Sequence, residues 1–161
     1  MDSSIDSLSE STSIKKIISD RRIRWLCHFT PRCNLKNIKE KGLIPRDILS
    51  EKALFTDQFR FDRNSNAICL SISKPNKWMF KKKQDEGFDL CLILIDPNVL
   101  LKNCLFFQHN AATKSYRYMD NQSFKGFSAL EALFDNEIAY QKSGDYLKKI
   151  YRNDMFNISE T

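Results

Sequence analysis

The chain has 161 residues, 42% of them hydrophobic and twelve of them Phe, and carries a net charge of +6. That length suits one domain with a real core, and no apolar run approaches the ~20 residues of a membrane-spanning helix. The positive charge favours an anionic partner such as nucleic acid or phosphate, while five cysteines without a CxxC pair and only two histidines argue against a zinc site. Reduced, core-filling cysteines are therefore expected. The N-terminal MDSSIDSLSESTSIKK lacks the basic-then-apolar order of a secretory signal, so the expected location is the cytoplasm.

Residues 1–12, rich in Ser and acidic side chains, read as a flexible tail ahead of a single domain over 13–161. Ile14, Ile17 and Ile18 are spaced for a helix over 13–22. Residues 23–29 read as a short strand ending at Thr30-Pro31. A helix over 34–41 follows, capped by Asn34 or Thr30, with Gly42 in the left-handed C-cap position. Residues 50–66 read as a polar surface loop. The strand expected over 67–73 puts Ser71 and Ser73 on one face by its period of two, and a short helix over 78–83 follows the Pro75-Asn76 turn. The run FDLCLILID over 88–96 is the strongest strand candidate, and its unbroken apolar content predicts cover on both faces. A helical or 3₁₀ turn is expected over 98–101, a brief strand over 104–108 and a long polar loop over 109–125. Leu130, Leu133, Phe134 and Ile138 form one stripe of a helix over 128–140, and Tyr146, Leu147, Ile150 and Tyr151 give a last short helix. The sum is an α+β protein.

Several residues carry candidate chemistry. His28 with Thr30, at a strand end, suits a ribose hydroxyl or carboxamide, or is simply structural. Arg60 can pair with a diphosphate while Asp62 fixes its guanidinium, or the two form a surface ion pair. Basic clusters stand at Lys15-Lys16 with Arg21, Arg22 and Arg24, at Lys77 with Lys81, Lys82 and Lys83, and at Lys148-Lys149 with Arg152. Trp78 and Phe80 interleave the middle cluster, which reads either as base stacking beside phosphate contacts or as a solvated helix face. Asn110-Ala111-Ala112-Thr113 leaves room for backbone to approach a ligand, or is an ordinary loop. No GxGxxG, GxxxxGK[ST] or GxSxG occurs, so dinucleotide-fold, P-loop and serine-hydrolase chemistry have no footing.

Taken in order, a set of segments resembles the DarT family of nucleic-acid ADP-ribosyltransferases. They are Leu26-Cys27-His28-Phe29-Thr30; Asn34-Leu35 through Ile38 with Gly42-Leu43; Arg60-Phe61-Asp62; Asn66 through Ser73 with Pro75-Asn76 and Met79-Phe80; Leu94-Ile95-Asp96-Pro97; Phe106 with Asn110-Ala111-Ala112; and Ala129-Leu130-Glu131-Ala132-Leu133-Phe134. The resemblance implies an ADP-ribosyltransferase-like split β-sheet with short flanking helices, NAD⁺ as co-substrate, and transfer of ADP-ribose to a base of DNA or RNA. It implies that His28, Phe29 and Thr30 meet the nicotinamide ribose or carboxamide. Arg60 is then the active-site arginine oriented by Asp62, Ser71, Ser73 and Asn76 line the pocket, and Met79 packs beneath with Phe80. The basic side chains of Lys77, Lys81, Lys82 and Lys83 are the expected nucleic-acid contacts. A toxin or phage-defence role, an antitoxin protein as partner and no metal complete the expectation.

Such a transfer needs a carboxylate to stabilise positive charge on the ribose and to deprotonate the incoming base. The resemblance implies a glutamate on a QAE-like strand after the Ala-Leu-Phe helix. Glu137 falls on the expected helix and earlier than implied, and Glu160 lacks an apolar strand around it. The domain is therefore expected to lack its C-terminal catalytic strand, with the implied glutamate falling beyond Thr161. Glu137 as a shifted catalytic residue is one alternative. A catalytically inactive module of the same fold, binding nucleic acid or a partner, is the other.

Overall fold

The computed structural model describes residues 3–49, 53–57, 64, 66–112, 116, 118–141 and 147–151, with backbone alone for 3–7, 138–141 and 147–151. Helices and sheet are mixed, in agreement with an α+β class. The described residues fall into two compact units, one drawn from 3–17 and 100–151, the other from 18–57 and 64–99. Among the described residues no helix is long and apolar enough to cross a membrane.

The helix α1 (Ser3–Asp20) takes in residues 3–12, which were expected as tail. Its end lies in the unit of residues 18–99. There Arg22 adopts φ 50°, its N–H donates to the Ser19 carbonyl, and the Ile23 N–H donates to the Ile18 carbonyl. These are the two bonds of a Schellman stop, here with Arg in the left-handed position that usually holds Gly. Ile23 is thereby turned into the core, so strand β1 begins later than expected, at Leu26–Pro31.

β1 is the central strand of a three-stranded antiparallel sheet, with β2 (Ser71–Ile72) on one side and β3 (Leu90–Ile95) on the other. Leu26 stands opposite Ile72 and Ile95, and Cys27 opposite Ser71 and Leu94. Alternation sends Leu26, His28 and Thr30 to one face and Cys27, Phe29 and Pro31 to the other. Ile23, Leu26, Cys27 and Leu90 form the buried core. β3 is an edge strand, and Leu92 and Leu94 are 44% and 59% exposed. The cover expected on both of its faces is thus absent among the described residues, because an antiparallel edge strand need bury only one face.

The strand expected over 67–73 shrinks to two residues. Ser73 adopts φ 62°, and the Lys74 N–H donates across it to the Ile72 carbonyl at 2.7 Å, closing a γ-turn that ends the alternation. Helix α2 (Leu35–Lys41) ends where expected, with Gly42 at φ 77° donating its N–H to the Ile38 carbonyl. Helix α3 (Lys77–Asp85) starts on Asn76, whose Oδ1 accepts the Met79 N–H at 3.0 Å. The expected turn near 98–101 is the 3₁₀ helix Pro97–Leu101.

In the other unit Ile14, Ile17, Leu100, Phe106, Phe124 and Leu130 are buried. No strand forms over 104–108. The Phe106 N–H instead donates to the Phe124 carbonyl at 2.7 Å, and Gln108 Nε2 caps the end of α4 (Gly126–Ala132) through the Ala132 carbonyl at 2.8 Å. Phe124 closes the 3₁₀ turn Asn121–Phe124, packs against Phe107 with ring centroids 4.4 Å apart and meets Tyr116 edge-on at 5.4 Å. The start of α4 is fastened by Glu10, whose carboxylate accepts the Phe127 N–H at 3.1 Å.

The helix expected over 128–140 stops at Ala132. Leu133, Phe134 and Asp135 close it with short-range bonds to Leu130, Glu131 and Ala132, and Asp135-Asn136 compete with helix through their own side chains. Residues that looked helical beyond that point form an antiparallel hairpin, β4 (Glu137–Gln141) with β5 (Leu147–Tyr151). Ile138, Tyr140, Ile150 and Tyr151 are better strand formers than helix formers, so the last expected helix is also replaced by strand.

Candidate functional site

Arg60 and Asp62, the expected arginine and its orienter, lie outside the described residues. So do Glu160 and Thr161, the position past which the implied glutamate was expected. The remaining candidates divide between the units. His28, Phe29, Thr30, Ser71, Ser73, Asn76, Met79 and the α3 lysines belong to the unit of residues 18–99, and Glu137 belongs to the other.

β1 places His28 half-buried beside the approach to β2, where its Nδ1 lies 2.9 Å from the Cys69 carbonyl. A carbonyl only accepts, so Nδ1 carries the proton, and in the neutral ring Nε2 is the acceptor. Thr30 differs from expectation. It is 6% exposed, and its Oγ1 accepts from Asn34 Nδ2 at 3.1 Å. Asn34 also donates to the Leu54 carbonyl at 2.8 Å and accepts the Leu54 N–H at 3.1 Å. Its amide thus pairs with Leu54 as a strand neighbour would, and it makes no cap bond to α2. On the opposite face of β1, Phe29 meets Phe80 of α3 edge-on, with ring centroids 5.6 Å apart.

Ser71 is half-buried opposite Cys27. Ser73 is held through its backbone. Its N–H donates to the Trp25 carbonyl at 3.1 Å, and its carbonyl accepts Trp25 Nε1 at 2.8 Å and the Cys27 thiol at 3.5 Å. A serine at positive φ is a costly backbone state, and it survives here because these bonds over-determine it. Asn76 is occupied as the α3 cap, and Met79 is half-buried.

The lysines of α3 split. Lys83, expected to contact nucleic acid, is 8% exposed and turned inward, with its Nζ 3.0 Å from Asp57 and 2.9 Å from Glu86. Hydrogen bonds from Glu86 and then Asp57 push its pKa above the ordinary 10.5, against the opposing effect of burial. Lys77, Trp78, Lys81 and Lys82 are exposed, Trp78 at 68%. Lys81 pairs with Asp85 at 3.3 Å, and Lys82 lies 5.3 Å from the centre of the Trp78 ring and 4.0 Å from Glu86.

Asp57 belongs to the polar loop expected over residues 50–66. The Arg46 guanidinium lies 4.3 Å over the Phe55 ring and donates to the Asp57 carbonyl at 2.8 Å. With Asn34 on Leu54 and Lys83 on Asp57, residues 54–57 are tied down at three points. The i,i+3 pairing of Lys83 with Glu86 was readable from spacing. The partners of the loop were not, since they come from distant parts of the chain.

Glu137 is exposed at the first position of β4, opposite Tyr151. Asn110 accepts the Ala112 N–H at 2.9 Å, an ordinary Asx turn. All five cysteines are free thiols. Cys27 is buried and Cys91 and Cys104 are half-buried, and burial raises the pKa of all three, whereas Cys33 and Cys69 are exposed and do not fill the core. Among the described residues no group of His, Cys, Asp and Glu could hold a metal ion. Compared with protein-family models and with curated proteins, the chain matches none.

Proposed function

We propose that this chain is an NAD⁺-dependent mono-ADP-ribosyltransferase, of the ADP-ribosyltransferase-like split-sheet type, acting on a base of DNA or RNA. The observation that carries the proposal is Glu137 at the head of β4, on a strand that follows α4. The resemblance asks for a glutamate on a QAE-like strand well after that helix. β4 gives Glu137 a strand setting in place of the expected helix, while its position soon after α4 stays earlier than the resemblance implies.

In the transfer, the bond between ribose C1′ and the nicotinamide nitrogen breaks, the electron pair leaves with nicotinamide, and a base atom bonds C1′. The Glu137 carboxylate offsets positive charge on the ribose and takes the proton released by the base. His28, in the unit of residues 18–99, is held by the Cys69 carbonyl through Nδ1, and its assignment to the nicotinamide end rests on the resemblance alone. Ser71 and Ser73 stay candidates for the nicotinamide wall. Thr30 and Asn76 instead brace β1 and α3. Arg60 with Asp62 is assigned to phosphate on the resemblance alone.

The same proposal carries a cytoplasmic toxin or phage-defence role, with an antitoxin protein as partner. Expression of the wild-type chain should then arrest growth, while Glu137→Gln should not. Nicotinamide release from NAD⁺, measured with single-stranded DNA and with RNA, is the direct test. Glu137→Gln is expected to slow release about 10²–10⁴-fold. Release that is indifferent to this substitution would sink the proposal.

The outward basic and aromatic face of α3 favours a second possibility, a module of the same fold that binds without catalysis. No nicotinamide release by the wild-type chain, alongside intact oligonucleotide binding, would select it.

A further inference from the structure

Helix α3 divides its residues by the 3.6 period. Phe80 turns toward Phe29 of the sheet, Met79 is half-buried and Lys83 turns to Asp57 and Glu86, while Lys77, Trp78, Lys81 and Lys82 share the outward side. Trp78 is 68% exposed on a helix fixed by an Asn76 cap. An indole is one of the largest flat apolar faces a protein can offer, and an exposed one beside cations can stack on a base.

Its surroundings are cationic. Lys82 stands 5.3 Å from the ring centre, close enough for cation–π attraction to steady the indole. Lys77 is exposed one residue before it, Lys74 is exposed just ahead of the helix, and the positive end of the helix dipole lies at the same end. The pairs Lys81–Asp85 and Lys82–Glu86 are exposed i,i+4 contacts. Such pairs hold little energy, so each ammonium can exchange its carboxylate for a phosphate. Asp85 beside Lys81 and Glu86 beside Lys82 are the acidic groups that oppose this.

We propose that this face is a docking surface for single-stranded nucleic acid, with Trp78 stacking on an unpaired base and Lys77, Lys81 and Lys82 meeting the flanking phosphates. A duplex hides the base faces the indole needs, and an acidic peptide offers the lysines charge but brings no flat ring to cover the indole. Neither a ring nor an ammonium group distinguishes ribose from deoxyribose, so DNA and RNA bind alike. The surface deepens the nucleic-acid part of the proposed function, yet binding is read without NAD⁺ and so stands or falls apart from transfer.

The test titrates the full chain, without NAD⁺, with oligo(dT), oligo(U), a duplex of equal length and a poly-glutamate peptide. Anisotropy and tryptophan fluorescence are followed together. Stacking should quench Trp78, and Trp78→Phe should remove that quench while retaining part of the affinity. Trp78→Ala should weaken both single strands about 5- to 150-fold. Each of Lys77→Ala, Lys81→Ala and Lys82→Ala should lower the salt slope by about 0.7. Asp85→Asn should tighten binding. Trp78→Ala that melts like wild type yet binds oligonucleotide equally well would overturn the stacking surface, as would an unquenched Trp78, a preference for the duplex, or tighter binding of the peptide. Loss of the Trp78 effect with nicotinamide release intact would remove this surface and leave the transferase proposal standing.

Discussion

The Lys83 ammonium sits between two carboxylates, 3.0 Å from Asp57 and 2.9 Å from Glu86, in a residue only 8% exposed. Removing one partner of a buried ion pair leaves the others under-solvated. Here Asp57 and Glu86 still reach water, so Lys83→Met should cost about 1–3 kcal/mol, less than the loss for a fully buried pair. The folded chain binds the Lys83 proton more tightly than the unfolded chain does, because its pKa is raised above 10.5. Its contribution is therefore whole below the ordinary lysine value and is lost as pH rises through the folded value. Urea melts of wild type and Lys83→Met should differ by a constant amount from neutral pH to near that value, then converge in more alkaline buffer. A gap that stays unchanged in buffers above the folded lysine value would contradict the ion pair. At this scale the sequence told only part of the story. Four lysines near one tryptophan looked equivalent, and only the helix phase and the distant Asp57 show that one of them faces inward. Thr30 and Asn76 were legible as polar groups at strand and helix ends, but their engagement by Asn34 and by the Met79 N–H depends on tertiary and capping geometry.

Among the elements, α1 changes most from its expected extent. Residues 3–12 are polar enough to read as tail, yet they are helical, and Glu10 reaches α4 to accept the Phe127 N–H at 3.1 Å. Gly126, at φ 81°, holds a backbone state that favours glycine, and a side chain there would displace the same carboxylate. A carboxylate on the first N–H groups of a helix acts as a cap and meets the positive end of its dipole. Glu10→Ala should therefore destabilise the chain by about 1 kcal/mol, read as a lower denaturant midpoint at unchanged slope. An unchanged midpoint would make the contact incidental. The helix–strand confusion after Ala132 has a comparable cause. Leu130, Leu133 and Phe134 do keep helical spacing through the end of α4, and a short apolar pattern carries no mark of where the period changes. The Asp135-Asn136 pair was the available breaker signal, and the β-forming Ile138 and Tyr140 beyond it supported a strand. By contrast α2 was legible almost residue for residue, because Gly42 supplies an unambiguous local stop.

For the molecule as a whole, the α+β class was readable from the mixture of periods, while the edge position of β3 was not. An unbroken apolar run looks the same in a strand covered on both sides and in one that leaves Leu92 and Leu94 open. The net charge of +6 pointed to an anionic partner, and the structure narrows one part of that charge to the outward side of α3. The proposed function is ADP-ribose transfer to a base, with Glu137 as the carboxylate. It is tested most directly by the mass of a single-stranded oligonucleotide recovered after incubation with the wild-type chain and NAD⁺. The account predicts a gain of one ADP-ribose on a base, matched by an equal amount of released nicotinamide and absent with Glu137→Gln. An oligonucleotide of unchanged mass beside intact NAD⁺, or the same gain with Glu137→Gln, would contradict it.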